Sequence, residues 1–285
     1  MRAKAGFGSG LLGVLIFSGS LPATRLAVSG FAPLFLTAAR AVIAALLGGA
    51  LLWLLRQTRP ARGDLAALAL VSLGVVVGFP LLTALALRGM TSAQAIVFVG
   101  MLPLATALFG VLRGGECPRP AFWLFSVLGS AAVAGFALSQ GGAAGAGANL
   151  LMLAAILLCG LGYAEGAALS RRLGGWQVIS WALLLALPAM AILACATWPA
   201  RWDGIGASAW SGLAYVSVFS MLVGFVFWYR GLALGGIASV GQLQLLQPFL
   251  GLALAALIVG EPVSGTMLAV SAAVVLCVAG ARRFA

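Results

Sequence analysis

The chain has 285 residues, of which 63% are hydrophobic and 7% charged. Soluble domains carry about 25% charged residues and need them to stay dispersed, so this composition excludes a fold that lives in water. The formal net charge of +11 comes from Lys and Arg scattered singly or in twos and threes between apolar stretches, which excludes the continuous basic surface of a nucleic-acid partner.

A membrane-spanning helix needs about 20 mainly apolar residues, because the hydrocarbon core is about 30 Å thick and a helix rises 1.5 Å per residue. Ten such runs follow one another: Gly8–Val28, Pro33–Leu55, Leu65–Leu87, Ser92–Leu112, Pro120–Ser139, Asn149–Ser170, Gln177–Trp198, Ser208–Tyr229, Ala238–Ile258 and Ser264–Ala281. They are too long for strands and lack the alternation of period two. The expected fold is all-α, with ten transmembrane helices. Arg2 and Lys4 ahead of the first run also suit a secretory signal, but its apolar part continues to Val28, and it reads as a retained span.

Lys and Arg gather in the loops that face the cytoplasm. With the N-terminus inside, twelve of the 16 fall on that side and only Arg25, Arg88 and Arg201 fall outside, Arg40 lying within a span. This bias predicts two cytoplasmic termini in a bacterial inner membrane.

Charged and polar groups inside the runs are the candidates for function. Arg40 stands about two turns into the second run, where it could hold a substrate carboxylate by a bidentate contact or snorkel outward. Glu165 is the one acidic residue inside a run. It is a candidate proton or ammonium site, or a structural partner of Arg171 or Arg230. In the ninth run Gln244, Pro248, Gly251 and Ala255 share one helical face that is small and polar, suited to a cavity or to a tight helix contact. Pro248 also frees the Gln244 carbonyl from its usual bond. Phe79, Phe98 and Tyr163, near helix breaks or beside Glu165, could stack on an apolar or aromatic substrate. Trp198, Trp202 and Trp210 suit interface anchors, and the pairs Gly74/Gly78 and Gly162/Gly166 suit close helix packing.

Enzymatic chemistry lacks its groups. The chain has no histidine, so neither a Ser-His hydrolase nor a His-bound metal is supported. Asp64 and Asp203 are the only aspartates and fall in loops. Cys117, Cys159, Cys195 and Cys277 form no CxxC pair. Gly8, Gly10 and Gly13 fit GxGxxG, but no strand precedes them. No cofactor, metal or nucleic acid is expected; the partners are a small-molecule substrate and the lipid bilayer, for a monomer.

The runs also repeat. The fourth carries Pro103, Gly115 and Glu116; the ninth carries Pro248, Gly260 and Glu261 at the same spacing. The stretch GGAAGAGA, residues 141–148, separates five runs (1–140) from five (149–285) and reads as a flexible linker. Because five is odd, the second unit enters the membrane from the opposite face, giving two inverted five-helix repeats.

Ten spans, two halves, a mid-helix Pro followed by Gly-Glu, and Arg40 after Phe31, Ala32 and Pro33 resemble the drug/metabolite transporter superfamily, in its EamA branch. Within it the chain is similar to the YddG-type exporters of aromatic and other neutral amino acids. That resemblance implies a secondary transporter for small neutral organic solutes, amino acids first, working by alternating access about a midplane cavity. The cavity would be lined by the first, third, fourth, sixth, eighth and ninth spans, with hinges near Pro22, Pro80, Pro103 and Pro248. Export follows from the resemblance alone. Carriers of phosphorylated or cationic metabolites belong to the same superfamily, and a non-transporting scaffold is the rival from another class. Leu183 stands where a second-half partner of Arg40 would be expected, which departs from strict symmetry.

Overall fold

A computed structural model describes residues 2–114, 119–139, 143–235 and 240–284. The described residues are helical throughout, with no strand among them. The first run is broken into α1 (Arg2–Ser18) and α2 (Ser20–Ala27) at Gly19. The next is α3 (Pro33–Leu54), and the third comprises α4 (Leu65–Val71), a wide-turn segment (Ser72–Gly78) and α5 (Phe79–Ala86). Then come α6 (Ser92–Val99), α7 (Leu102–Gly114), α8 (Pro120–Ser139), α9 (Ala143–Leu173) and α10 (Gly175–Ala196). The eighth run comprises α11 (Ala207–Ala214), a second wide-turn segment (Tyr215–Val223) and α12 (Gly224–Gly235). A tight turn (Gly241–Leu246), α13 (Gln247–Leu254) and α14 (Gly265–Arg283) complete the chain.

Seven of the described helical stretches are long and apolar enough to cross a membrane. They cover the first to fourth and sixth to eighth runs, and shorter apolar helices cover the fifth, ninth and tenth. The stretch expected to be a flexible linker is helical from Ala143 onward and forms the first turns of α9. Its alanines are strong helix formers, and α9 extends the hydrogen-bonded ladder across them. Gly115 and Glu116, half of the repeated motif, lie outside the described residues.

Proline marks where six of the segments begin. Lacking an N–H, it sits best in a first helical turn, where that donor would have no partner. Pro22, Pro33, Pro80, Pro103, Pro120 and Pro248 all occupy that place, while Pro188 lies within α10. The predicted hinge prolines each follow an irregularity: Gly19, the wide turns of Ser72–Gly78, the break at Gly100–Met101, and the tight turn of Gly241–Leu246.

The packing joins first half to second. α1 lies along α12, α3 along α10, and α8 along α14. α9 runs beside α5 and the Ser72–Gly78 segment, and also beside α7; α1 touches α13 as well. Two of these crossings depend on absent side chains. A Cβ on Gly74 would stand 2.5 Å from the Leu158 carbonyl oxygen and 2.9 Å from the Gly162 Cα, and one on Gly231 would stand 2.8 Å from the Gly10 Cα. Both are closer than real atoms come, so the backbones meet directly, as the paired glycines predicted for α9.

Polar ties hold both ends. At one end the Glu261 carboxylate receives the Ser92 and Ala93 amides and the Ser92 hydroxyl. At the other, Arg172 donates to Asp64 at 2.6 Å and Gln177 to Gln57 at 3.2 Å. Near the first end, Trp198, Trp202 and Trp210 pack around Phe31 and Phe35, with Phe31–Trp210 centroids 5.0 Å apart. The tryptophans expected as interface anchors thus also form a cluster of their own.

Candidate functional site

Arg40 decides where to look. It lies seven residues beyond the start of α3, about 10 Å along the helix axis at 1.5 Å per residue, and is only 5% exposed. α3 lies against α10 and against the Tyr215–Val223 segment, and that segment meets the guanidinium with serine. Arg40 Nη2 donates to Ser220 Oγ at 3.3 Å, and Ser220 Oγ lies 2.7 Å from Ser20 Oγ. The Arg40 Nε–H is buried with no hydrogen-bond partner. Leu183, at the position expected to hold a partner, is fully buried and apolar. Ser220 takes that place from the neighbouring run.

These groups border a narrow, partly enclosed cavity of about 30 Å³. Its wall takes Phe17 and Ser20 from the first run, Arg40 from the second, Phe79 and Pro80 from the third, and Val99 and Leu102 from the fourth. The second half supplies Cys159 and Tyr163 from α9, Ser220 and Phe225 from the eighth run, and Gln247 from α13. The aromatic rings enclose one side: Phe17–Phe225 centroids are 5.0 Å apart, Tyr163–Phe225 5.9 Å, and Phe17–Tyr163 6.4 Å. The Gln247 Oε1 is buried without a partner. One or two waters fit such a volume, and an organic solute does not.

Three of the sequence candidates, Arg40, Phe79 and Tyr163, are brought together here. Two others are not. Phe98 is fully buried, faces Phe136 at 6.4 Å, and borders a separate apolar recess of about 720 Å³ with Met101, Leu104, Phe122 and Trp123. The break at Gly100–Met101 turns Val99 and Leu102 toward the polar cavity and leaves Phe98 on the opposite side. Gln244 is buried, as are Pro248, Gly251 and Ala255 on its face, but Gln247 lines the cavity in its stead. The tight turn of Gly241–Leu246 has about three residues per turn, so the register differs from that of an uninterrupted helix. Glu165 is half-buried on α9, two positions beyond Tyr163 and outside the cavity wall. Arg172, next to its expected partner Arg171, pairs with Asp64.

Phe17, Ser20, Ser220, Phe225 and Gln247 were missed in the sequence. Serine and phenylalanine are common in apolar spans, and no local pattern distinguishes these five. For Ser220 the usable signal was an unpaired Arg40, which demands an oxygen from some neighbouring helix.

Among the described residues no cluster of His, Cys, Asp or Glu is fit to hold a metal. The wall instead combines one cation, a few neutral polar groups and aromatic faces, groups of the kind that line small-solute sites.

Comparison with known proteins agrees with a carrier. The chain is 65% identical over 284 residues to the uncharacterized transporter YdeK of Bacillus subtilis (strain 168), covering 100% of this chain and 99% of that one. A crystal structure of a protein 21% identical superimposes with a TM-score of 0.68, covering 99% of this chain and 98% of the other, and so shares its fold. Residues 4–138 and 146–282 each match the EamA-like transporter family. The chain is a multi-pass membrane protein belonging to the EamA-like transporter family, within the drug/metabolite transporter superfamily.

Proposed function

We propose that the chain is a secondary carrier that exports small organic solutes bearing a carboxylate, amino acids and aromatic ones foremost, by alternating access. The observation that carries this is the composition of the cavity wall. Arg40, buried with an unpartnered N–H, faces aromatic side chains drawn from both halves of the chain. A guanidinium binds a carboxylate through two parallel hydrogen bonds, and Phe17, Phe79, Tyr163 and Phe225 suit an apolar or aromatic body.

The alternating mechanism rests on ten spans arranged as two inverted repeats. The packing supports this arrangement. If each run of the first half exchanges with its counterpart five runs on, the contact of α1 with α12 becomes that of the Ser72–Gly78 segment with α9. In the same way the contact of α7 with α9 becomes that of α13 with α1, and both members of each pair occur. Two of the three wide-turn segments also match, falling in the third and eighth runs, while the third, Ala255–Val259, lies in the ninth. Such halves can rock about a shared site and open it to each face in turn, with Pro22, Pro80, Pro103 and Pro248 at the flexing points. The Lys and Arg distribution supports two cytoplasmic termini in a bacterial inner membrane, and one chain forms the pathway as a monomer.

A phosphorylated substrate is less suited, since among the described residues Arg40 is the only cation on the wall and a phosphate at neutral pH carries nearly two charges. Counterflow in liposomes containing the purified chain tests the proposal. Labelled phenylalanine or a related carboxylate should exchange faster than in protein-free vesicles, and the Arg40→Gln variant should lose most of that flux. Flux equal to that of protein-free vesicles for every carboxylate offered rules the carrier role out.

A further inference from the structure

Among the described residues the cavity wall holds a cation and no anion. Of the four acidic residues among the described residues, Asp64, Glu165, Asp203 and Glu261, none lines it. Asp64 is joined to Arg172 at one end of the bundle, and Glu261 to Ser92 and Arg25 at the other. Glu165 lies outside the wall, and Asp203 falls in the loop before α11. A zwitterionic amino acid entering this space would satisfy Arg40 with its carboxylate. Its ammonium would then sit a few ångströms from the same guanidinium, in a medium of low dielectric, with no countercharge. The free acceptor on offer is neutral, the Gln247 Oε1.

We infer that the preferred substrates are organic monocarboxylates with an apolar or aromatic body and no positive charge, the carboxylate on Arg40 and a hydroxyl or other neutral donor on Gln247. This rests on the carrier reading above and on its carboxylate at Arg40, and it replaces amino acids as the leading substrates with acids that carry no ammonium. Export then has a physical cause. Over a complete cycle the protein returns to its starting state, so the charge moved is that of the solute. An uncoupled carrier of a monoanion is driven outward by an inside-negative potential, at equilibrium to a ratio of about 50-fold per 100 mV. A zwitterion feels no such drive.

Liposomes holding the full chain separate these cases, with flux in protein-free vesicles subtracted. The probes are 3-phenylpropionate, 3-phenyllactate, phenylalanine and phenylethylamine, competed against labelled 3-phenylpropionate. The two uncharged-tail acids should compete at concentrations at least tenfold below phenylalanine, and phenylethylamine should not compete. A potassium gradient with valinomycin should drive labelled 3-phenylpropionate toward the positive side. Arg40→Gln should abolish the advantage of the acids, with thermal unfolding in detergent reporting whether the variant is folded; the wild-type competition stands without it. Phenylalanine competing as well as 3-phenylpropionate, or flux unmoved by potential, overturns the inference and leaves the carrier intact. Absence of flux for all four probes overturns the carrier reading itself.

Discussion

The Glu261 carboxylate caps a helix that starts 169 positions earlier in the chain: Ser92 N–H donates to Oε1 at 3.0 Å, Ser92 Oγ to Oε2 at 2.6 Å, and Ala93 N–H to Oε2 at 2.8 Å. The first amides of a helix lack intrahelical partners and carry partial positive charge, so a carboxylate there is doubly favoured. Gly260, with φ of +71°, ends the preceding helix and turns the chain so that Glu261 can reach. The local capping box of Thr91 and Gln94 serves the same helix start, and Arg25 approaches the Glu261 Oε1 at 3.6 Å.

Glu261→Gln keeps one acceptor but loses the charge. It should lower stability in detergent by about 1–3 kcal/mol, the range for a buried hydrogen bond to a charged group, seen as a lower Tm. An unchanged Tm would show that the carboxylate is not what holds this end together.

Asp64 and Arg172 make the corresponding tie at the opposite end, with the arginine mostly exposed and the aspartate buried. Solvent weakens the pair itself, so the cost of breaking it falls on whichever group stays buried. Arg172→Ala should therefore destabilise by about 1 kcal/mol, and adding Asp64→Asn should recover part of the loss. Denaturation of the two variants checks this; a double variant clearly less stable than the single would contradict it.

Phe79 and Phe98 separate binding from packing. Phe79 lines the polar cavity and Phe98 does not. Phe79→Ala should raise KM for an aromatic substrate severalfold, with the folded yield little changed. Phe98→Ala should cost about 3 kcal/mol of stability and leave flux per folded molecule unaltered. The reverse pattern in proteoliposome kinetics would place the substrate in the other recess.

Gly74 leaves no room for a side chain against Leu158 and Gly162, whereas nothing stands within 4 Å of a Cβ on Gly8. Gly74→Val should cost about 3 kcal/mol or abolish folded protein, and Gly8→Ala should be silent. Size-exclusion yield after membrane extraction distinguishes the two.

Lipid made much of this fold legible. Long apolar runs are required of any spanning helix, and glycines at spacing four marked where Gly74 and Gly162 meet. Arg40, Phe79 and Tyr163 could be found because a buried charge and aromatics beside helix breaks are conspicuous in such runs. What escaped depends on departures from ideal helix geometry. A tight turn puts Gln247 on the wall where a regular helix suggested Gln244, and the break after Val99 sends Phe98 away from the cavity. The cap of Ser92 by Glu261 joins distant positions, and no local pattern reveals such a partner. The Gly/Ala stretch misled for the opposite reason: composition suggested flexibility, but from Ala143 the α9 ladder continues through it.

The central claim is that the cavity beside Arg40 opens to each side of the membrane in turn. Cys159 lines that cavity and is a native reporter. In a chain whose other three cysteines are serine, a membrane-impermeant methanethiosulfonate reagent should label Cys159 slowly from either face of the vesicle, and saturating substrate should slow it further. Labelling from neither face, or from one face alone with and without substrate, would contradict the account.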